Sequence, residues 1–268
     1  IDADTNEIKL TGNDMELGIE TKVEGSILER GKIALEAKLF SEIIRKLPDG
    51  DTPVSITSDN HFNTVIECEN AVFNIQGRDG EEFSYLPYIE RDQHISLSQF
   101  TLKEAIRQTI FSISPNDSSN KMMAGELLEV KDDFLKVVSL DGHRISIRNI
   151  QLKEHYDNHK VIVPGKTLSE ISKILTGDNE KEVLIYFSKN HILFEFDDTV
   201  VVSRLIEGEY FKIDHMLSSD YETRVKINKR DFMDNIDRAM ILIRDSDRKP
   251  IIMNVEDNNL KMGGEWEF

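Results

Sequence analysis

Several residue types that define large classes of proteins are scarce in this chain. Its 268 residues include one cysteine, Cys68, which excludes an internal disulfide framework. No apolar run approaches the roughly 18 residues that a membrane-spanning helix needs. The first residues lack the basic stretch and apolar core of a secretory signal. These absences favour a protein of the reducing cytoplasm, and the missing initiator methionine predicts a processed or truncated chain.

Positive charge is also scarce. Lysine and arginine number 33 against 50 aspartates and glutamates, and this net charge of −17 argues against simple electrostatic wrapping of nucleic acid. The two signs are nevertheless segregated. Segments 36–47, 100–110, 166–175 and 229–244 each sum to +1, so the rest of the chain carries −21. A surface built from these segments would be mildly positive, while the remainder would repel acidic partners.

The same four segments have the spacing of amphipathic helices, with apolar residues at intervals of three and four. Elsewhere apolar and polar residues alternate, which predicts strands over 54–57, 62–68, 71–75, 183–187 and 192–196. The polar pairs Asp59-Asn60 and Lys189-Asn190 suit hairpins between these strands. Cys68 is then expected to be a packed, inert strand residue. The fold class that follows is α+β, with antiparallel meanders on one face and two helices on the other.

Three pairs of similar segments recur at one long spacing. In the first of these pairs, both segments read as a short apolar strand, a turn and an amphipathic helix that carries Ser-Glu-Ile. The pairs are 32–47 with 160–175, 94–106 with 223–236, and 10–17 with 137–144, at offsets of 128, 129 and 127 residues. This period is longer than that of any solenoid unit, so it indicates domain duplication rather than a stacked array.

The spacing predicts three units. We expect a first unit at 1–92 that lacks its opening, a complete unit at 93–220, and the start of a third at 221–268. The last residues, 263–268, continue no strand pattern, and their origin is left open. A cloning remnant, a junction across missing residues and another chain's sequence are all compatible with them.

The ordered motifs resemble a known family. They are Leu-Asp-Gly-His-Arg-Ile at 140–145, the strand and helix at 161–171, Leu-Ile-Glu-Gly-Glu-Tyr at 205–210, and the segments 11–17 and 73–83. From about Leu10 to Met262 the chain is similar to the bacterial DNA sliding clamps, the beta subunits of DNA polymerase III. It departs from their pattern at Phe211-Lys212-Ile213, where the family usually has Pro-Asp-Tyr. The loop 116–124 is also less aromatic and less basic than in some members, and the family's C-terminal strand is absent.

The resemblance implies the DNA-clamp fold, with duplicated domains that place antiparallel sheets outside and two helices inside. It also implies a non-catalytic processivity factor that encircles double-stranded DNA without sequence preference. The implied partners are the polymerase III catalytic subunit, the clamp loader, other clamp-binding polymerases and repair proteins. Another is a second copy, because two such chains close head to tail into a ring. If the parts missing from the first and third units are absent from the molecule, we expect a monomer that does not stay on circular DNA.

By position, the resemblance also implies a hydrophobic groove for partner peptides. Its residues would be Met123, Gly142, His143, Arg144, Ile145, Phe211 and Met216. The alternative function is an α+β hydrolase or transferase that uses Asp141 and His143. Acid–base chemistry would need a nucleophile or a metal held beside them, and the neighbouring residues supply neither. Taken alone, the segment is a tight turn between strands, with Gly142 supplying backbone freedom.

The cationic residues of the helices, together with Lys121 in the loop 116–124, are the candidates for contact with DNA phosphates, although an ordinary solvated surface would look the same. They are Lys38, Arg45, Lys103, Arg107, Lys121, Lys166, Lys173 and Arg238. His155 and His159 have a spacing that could bind zinc on a helix, but they lie in a stretch that reads as a polar loop and no third ligand is evident. No phosphate-binding glycine loop of the Walker type occurs. We therefore expect no cofactor, no metal and no catalytic residue.

Overall fold

The computed structural model describes residues 1–48, 50, 52–114, 120–217, 220–241, 250–256 and 258–263. The chain divides into two compact units, Ile1–Tyr210 and Phe211–Phe268. Parts of three sequence features lie outside the described residues: the loop 116–119, the helix end around Ile243, and the tail 264–268.

The four predicted helices are present, and a polar residue or a proline precedes the first turn of each. They are α1 Ala37–Ile44, α2 Gln99–Thr109, α3 Gly165–Ile174 and α4 Lys229–Met240. A polar side chain accepts hydrogen bonds from first-turn backbone nitrogens in three of them, namely Glu36 for α1, Ser98 for α2 and Asn228 for α4. In α3 the residue before the first turn is Pro164.

The strands form antiparallel sheets. They are β1 Ile8–Asn13, β2 Leu17–Val23, β3 Ile33–Ala34, β4 Ser55–Ser58, β5 Asn63–Cys68, β6 Ala71–Gln76, β7 Arg78–Asp79, β8 His94–Ser98, β9 Gly125–Leu140, β10 Ile145–Pro164, β11 Glu182–Phe187, β12 His191–Phe196, β13 Thr199–Arg204, β14 Ile252–Glu256 and β15 Asn259–Gly263. The predicted strands and both hairpins are confirmed, and Cys68 is a buried free thiol at the end of β5. The α+β class is therefore confirmed.

One sheet joins the first two sequence repeats. Its six strands follow the order β1-β2-β13-β12-β11-β8. Strand β2 comes from the first repeat and pairs with β13 of the second from Leu17 opposite Ser203 to Thr21 opposite Thr199. The two repeats therefore share backbone hydrogen bonds as well as a chain connection.

The main core lies between this sheet, helices α2 and α3, and the two-stranded ribbon of β9 and β10. Alternate residues of β11 and β12, such as Ile185 and Phe194, face this core and are fully buried. Ile106 of α2 and Ile171 of α3 are buried in the same cluster. The residues between them on each strand point away from this core. The sheet therefore has one face toward the helices and an opposite face.

Two hairpin turns repeat the same local geometry at an offset of 127 residues. Between β1 and β2, an Asp14 carboxylate oxygen accepts from the backbone nitrogens of Glu16 and Leu17 at 3.1 and 2.8 Å. Between β9 and β10, Asp141 does the same for the third and fourth residues of its turn, at 3.0 and 2.9 Å. The second residue of each turn has a positive φ, 74° at Met15 and 85° at Gly142. This shared turn supports the duplication that the sequence predicts.

Two local expectations were wrong. Residues 153–159 are part of strand β10, not a loop between strands. The pairing of β10 with β9 is irregular there, with register shifts on either side of Tyr156. Apolar and polar residues therefore do not alternate along this part of the sequence. His159 stacks on Phe187, with ring centroids 4.5 Å apart. In addition, the similarity of 223–236 to 94–106 implies a strand ahead of α4 like β8 ahead of α2, but residues 223–228 form no strand.

The second unit contains a short 3-10 helix at Ile213–His215, α4, and the β14–β15 hairpin. One face of α4 and the hairpin line a cavity of about 480 Å³, which Phe232, Leu260 and Met262 border. No residue of α4 is buried.

Candidate functional site

The turn at 141–144 has a fixed shape. Strand β9 ends at Leu140 and β10 begins at Ile145, so the four turn residues project from the end of the ribbon. Asp141 also donates its backbone N–H to the carbonyl oxygen of Arg144, at 3.2 Å. Gly142 lies in the left-handed region that glycine adopts without strain. The predicted tight turn is therefore confirmed.

Arg144 is held by two neighbours. Its Nε and Nη2 donate to a single Asp141 carboxylate oxygen, at 2.9 and 2.7 Å. These bonds lower the pKa of the Asp141 carboxyl. The guanidinium also lies 5.8 Å from the centroid of the Phe111 ring, within the range of a cation–π contact. The arginine side chain is 54% exposed, so its remaining donors are available to a partner.

The geometry of this turn does not suit catalysis. The contact from Asp141 to His143 goes to the backbone nitrogen of the histidine and not to its imidazole. The Asp141 carboxylate is already engaged by Arg144, so it does not orient a histidine base. In the described part of the chain, no group of three or more His, Cys, Asp or Glu is placed to hold a metal.

The other predicted groove residues lie in both units. Met123, in the 3-10 helix Lys121–Ala124, and Ile145 are half-buried in the first unit. Phe211 and Met216 belong to the second unit, where Phe211 is half-buried and Met216 is 52% exposed. Their assembly into one groove stays a prediction. Sequence reasoning missed Phe111 as a neighbour of Arg144, because it reads only as part of the apolar end of α2.

A buried polar cluster, which sequence reasoning did not foresee, connects α2 to strand β9. Glu126 of β9 is fully buried, and one of its carboxylate oxygens accepts from the Thr109 hydroxyl at 3.1 Å. Its other oxygen, Oε1, has no hydrogen-bond partner among the described residues. Burial raises the pKa of Glu126 to about 8. The Ser139 hydroxyl donates to the Thr109 carbonyl oxygen at 2.5 Å, and the Tyr210 hydroxyl donates to the Val138 carbonyl oxygen at 3.3 Å.

Two of the candidate DNA contacts connect structural elements. Lys103 of α2 donates its Nζ to the carbonyl oxygen of Leu175, at the end of α3 and 2.8 Å away. Lys166, in the first turn of α3, forms an ion pair with Asp14 in the first hairpin turn. That contact lowers the pKa of Asp14 to about 2. These two lysines therefore have structural partners that sequence reasoning did not foresee.

The remaining candidates fall into two groups. Arg107 and Lys173 pair with glutamates three residues earlier on their own helices, Glu104 and Glu170. Arg238 donates to the Asp234 carbonyl oxygen at 3.0 Å. The last group is exposed and forms no ion pair within the described ranges; it comprises Lys38, Arg45 and Lys121. Their exposed charged groups can meet a phosphate.

No described helix is long and apolar enough to cross a bilayer. The N-terminal domain of the DNA polymerase III beta subunit matches residues 1–87, and the central domain of that subunit matches residues 96–212.

Individual relatives agree with these matches. A beta sliding clamp from Staphylococcus epidermidis is 36% identical over 91% of this chain and 66% of its own length. A crystal structure of a DNA polymerase III beta subunit from Eubacterium rectale is 64% identical with a TM-score of 0.93, covering 98% of this chain and 71% of that one. The sliding clamp of Bacillus subtilis is 30% identical with a TM-score of 0.87, covering 98% and 74%. The chain thus spans about two thirds of the length of such relatives.

The shared sheet, the paired helices and the repeated turn are those of a DNA-clamp fold. The chain belongs to the bacterial DNA polymerase III beta subunit family, the beta sliding clamps. These proteins are named as clamps and are non-catalytic, and nothing in the comparisons supports the hydrolase or transferase alternative.

Proposed function

We propose that this chain serves in a ring that encircles double-stranded DNA and tethers replication and repair proteins to it. The family match carries the proposal, and the repeated Asp14 and Asp141 turns support it, since a ring is built from duplicated units. The partners would be the polymerase III catalytic subunit, the clamp loader, other clamp-binding proteins and a second copy of the chain. Because DNA replication in bacteria takes place in the cytoplasm, we place the protein there.

The domain boundaries follow from the repeat. We propose a first clamp domain at 1–92, a second at 93–220 and the beginning of a third at 221–268. The geometric match between the turns at Asp14 and Asp141 supports equivalence of the first two.

Peptide docking would take place at the turn after β9. Ile145 and Met123 offer partly exposed apolar surface in the first unit, and Arg144 is preset by Asp141 to donate to a peptide carbonyl. Phe211 and Met216 would add apolar surface from the second unit, and Gly142 and His143 would form the rim. A groove of this kind concentrates its binding energy in a few apolar anchors.

The test is a titration with a short peptide that contains Gln and Leu. Ile145→Asp should weaken binding by about 2 kcal/mol or more, roughly thirtyfold, because it places a charge in the apolar trough. The control is Asn149→Asp, an exposed position farther along the same strand. Equal peptide affinity of Ile145→Asp and the unchanged chain, with both folded, would remove the turn from the site.

Contact with DNA would be weak and sequence-blind. Lys38, Arg45 and Lys121 are proposed as the main phosphate contacts, with Lys103, Arg107, Lys166, Lys173 and Arg238 contributing long-range attraction. Replacing Lys38 and Arg45 with Ala should reduce the number of counterions released on DNA binding by about two. The slope of the logarithm of the binding constant against the logarithm of salt concentration measures this number. Binding with an unchanged salt dependence would show that these residues face away from DNA.

A further inference from the structure

The face of the six-stranded sheet opposite the helices carries an apolar seat. Its members are Tyr186 of β11, Leu193 of β12 and Val202 of β13, each at most 5% exposed. These residues alternate with those that face the main core, so they point to the other side of the sheet. A second layer of chain must therefore cover them.

The cover is the connection between the first two repeats. Ile89 is 5% exposed and packs into the seat, and Leu86 packs against the same cluster. Tyr88, between them in sequence, is 91% exposed and points away. The connection is thus amphipathic over four residues, and its apolar side lies on the sheet.

The connection is fastened at both ends. The Asn13 side-chain amide donates to the Ser84 carbonyl oxygen at 3.1 Å, and Arg91 pairs with Glu195 of β12 at 3.4 Å. Gly18 of β2 makes room for the middle. A Cβ at that position would overlap the Leu86 side chain, so the leucine occupies the space that any other residue would fill. The seat is consequently shaped for these particular side chains.

The sequence repeat relates this connection to the proposed peptide groove. Phe83 in Gly-Glu-Glu-Phe and Tyr210 in Glu-Gly-Glu-Tyr align at a local offset of 127, and at this offset Ile89 corresponds to Met216 and Leu86 to Ile213. Met216 is a proposed wall of the groove and is 52% exposed, whereas Ile89 is turned inward and buried. The side chains at these corresponding positions are therefore exposed in one case and buried in the other.

We propose that the Tyr186–Leu193–Val202 seat is a second docking surface for short apolar peptides, and that the chain's own segment 86–89 occupies it. The inference rests on the proposed function for the class of peptide, but the seat and its occupant are features of the first unit alone. Leu86 and Ile89 act as an internal peptide and leave the first junction closed to partners. Removing their side chains opens the seat.

The test uses the full chain carrying Ile145→Asp, so that the proposed groove is disabled. A fluorescein-labelled short peptide containing Gln and Leu is titrated against this background and against variants that add Leu86→Ser and Ile89→Ser. We expect the additional pair to tighten binding at least tenfold, and a further Leu193→Glu to abolish the gain. Tyr88→Ser is the matched control, because it alters the same segment without touching the seat.

A second route opens the seat without removing the plug. Gly18→Ala should force Leu86 outward and give a similar gain, while Gly12→Ala on β1, where no described atom lies within 4 Å of an added Cβ, should not. If the serine pair prevents folding, Gly18→Ala decides the matter. Folded variants that bind no better than the Ile145→Asp background, or no better than Tyr88→Ser, would overturn the proposal. If the proposed groove does not bind the peptide, the unchanged chain and Ile145→Asp will bind it equally. That outcome is distinct from a failure of the seat.

Discussion

Lys103 and Leu175 join the two helices of the complete repeat, since the Lys103 ammonium donates to the carbonyl oxygen of Leu175 at 2.8 Å. That oxygen lies just past the end of α3, where helix carbonyls have no partner within the helix and the helix dipole favours a cation. The lysine is half-buried, so solvent competes weakly for the bond. Lys103, which the sequence suggests as a DNA contact, thus stabilises the packing of α2 against α3.

Lys103→Met should lower the free energy of unfolding by about 1–2 kcal/mol, because it removes a charged hydrogen bond and keeps most of the apolar stem. Urea denaturation measures the change. Lys173→Met is the control, since that exposed side chain pairs with Glu170 on its own helix, and it should cost less than about 0.5 kcal/mol. Equal costs for both variants would deny Lys103 this structural role.

Glu126 makes stability depend on pH. Its carboxyl ionises near pH 4.5 in the unfolded chain, whereas the folded protein retains the proton up to about pH 8. Folded protein therefore binds the extra proton between these values, and stability falls as pH rises through that window, by about 1.4 kcal/mol per pH unit. Glu126→Gln removes the titrating group. Its stability relative to the unchanged chain should grow from pH 5 to pH 8 and level off above, and a difference independent of pH would contradict the assignment.

The ion pair of Asp14 and Lys166 should make stability depend on pH in the opposite direction, so that stability falls as pH falls. The ion pair lowers the pKa of Asp14 from 3.8 to about 2, so its contribution is present above pH 3.8 and is lost as pH falls through 2. Both side chains are about half exposed, which limits the coupling energy to below about 1 kcal/mol. A double-mutant cycle with Asp14→Asn and Lys166→Met measures it at pH 7 and at pH 2.5. Coupling that survives unchanged at the lower pH would exclude the carboxylate as its source.

The two repeated turns allow a paired test of backbone strain. Gly142→Ala should cost about 1 kcal/mol, because a residue with a Cβ pays for the left-handed conformation at φ 85°. Met15→Ala should change stability little, since Met15 already occupies that conformation and is 74% exposed. Thermal unfolding of both variants gives the comparison. A neutral Gly142→Ala would mean that the turn relaxes to another shape.

Local patterns predicted the elements of this fold well. The three- and four-residue spacing of Leu168 and Ile171 predicted α3, and alternation predicted β11 and β12. The periodicity of a helix or a strand involves residues that are close together in sequence, so it can be recognised without knowledge of the tertiary contacts. The same patterns gave no information on the pairing of β2 with β13, because 178 residues separate the opposed Thr21 and Thr199.

The site was only partly predictable for the same reason. The turn at 141–144 has a local signal in Asp141 and Gly142, and the structure has that turn. The contact of Arg144 with Phe111 and the burial of Glu126 arise from packing between distant segments. The polar stretch 153–159 misled the prediction because an irregular, exposed strand lacks the alternation by which strands are recognised.

The pairing of β2 with β13 also determines how the junction between the first two repeats carries mechanical load. Lateral hydrogen bonds over five opposed residue pairs lie in parallel with the covalent connection. Force directed along these strands would have to shear several bonds together before the connection near Tyr88 is stretched. A single break in that exposed connection would accordingly leave the two repeats attached, held edge to edge by their shared sheet.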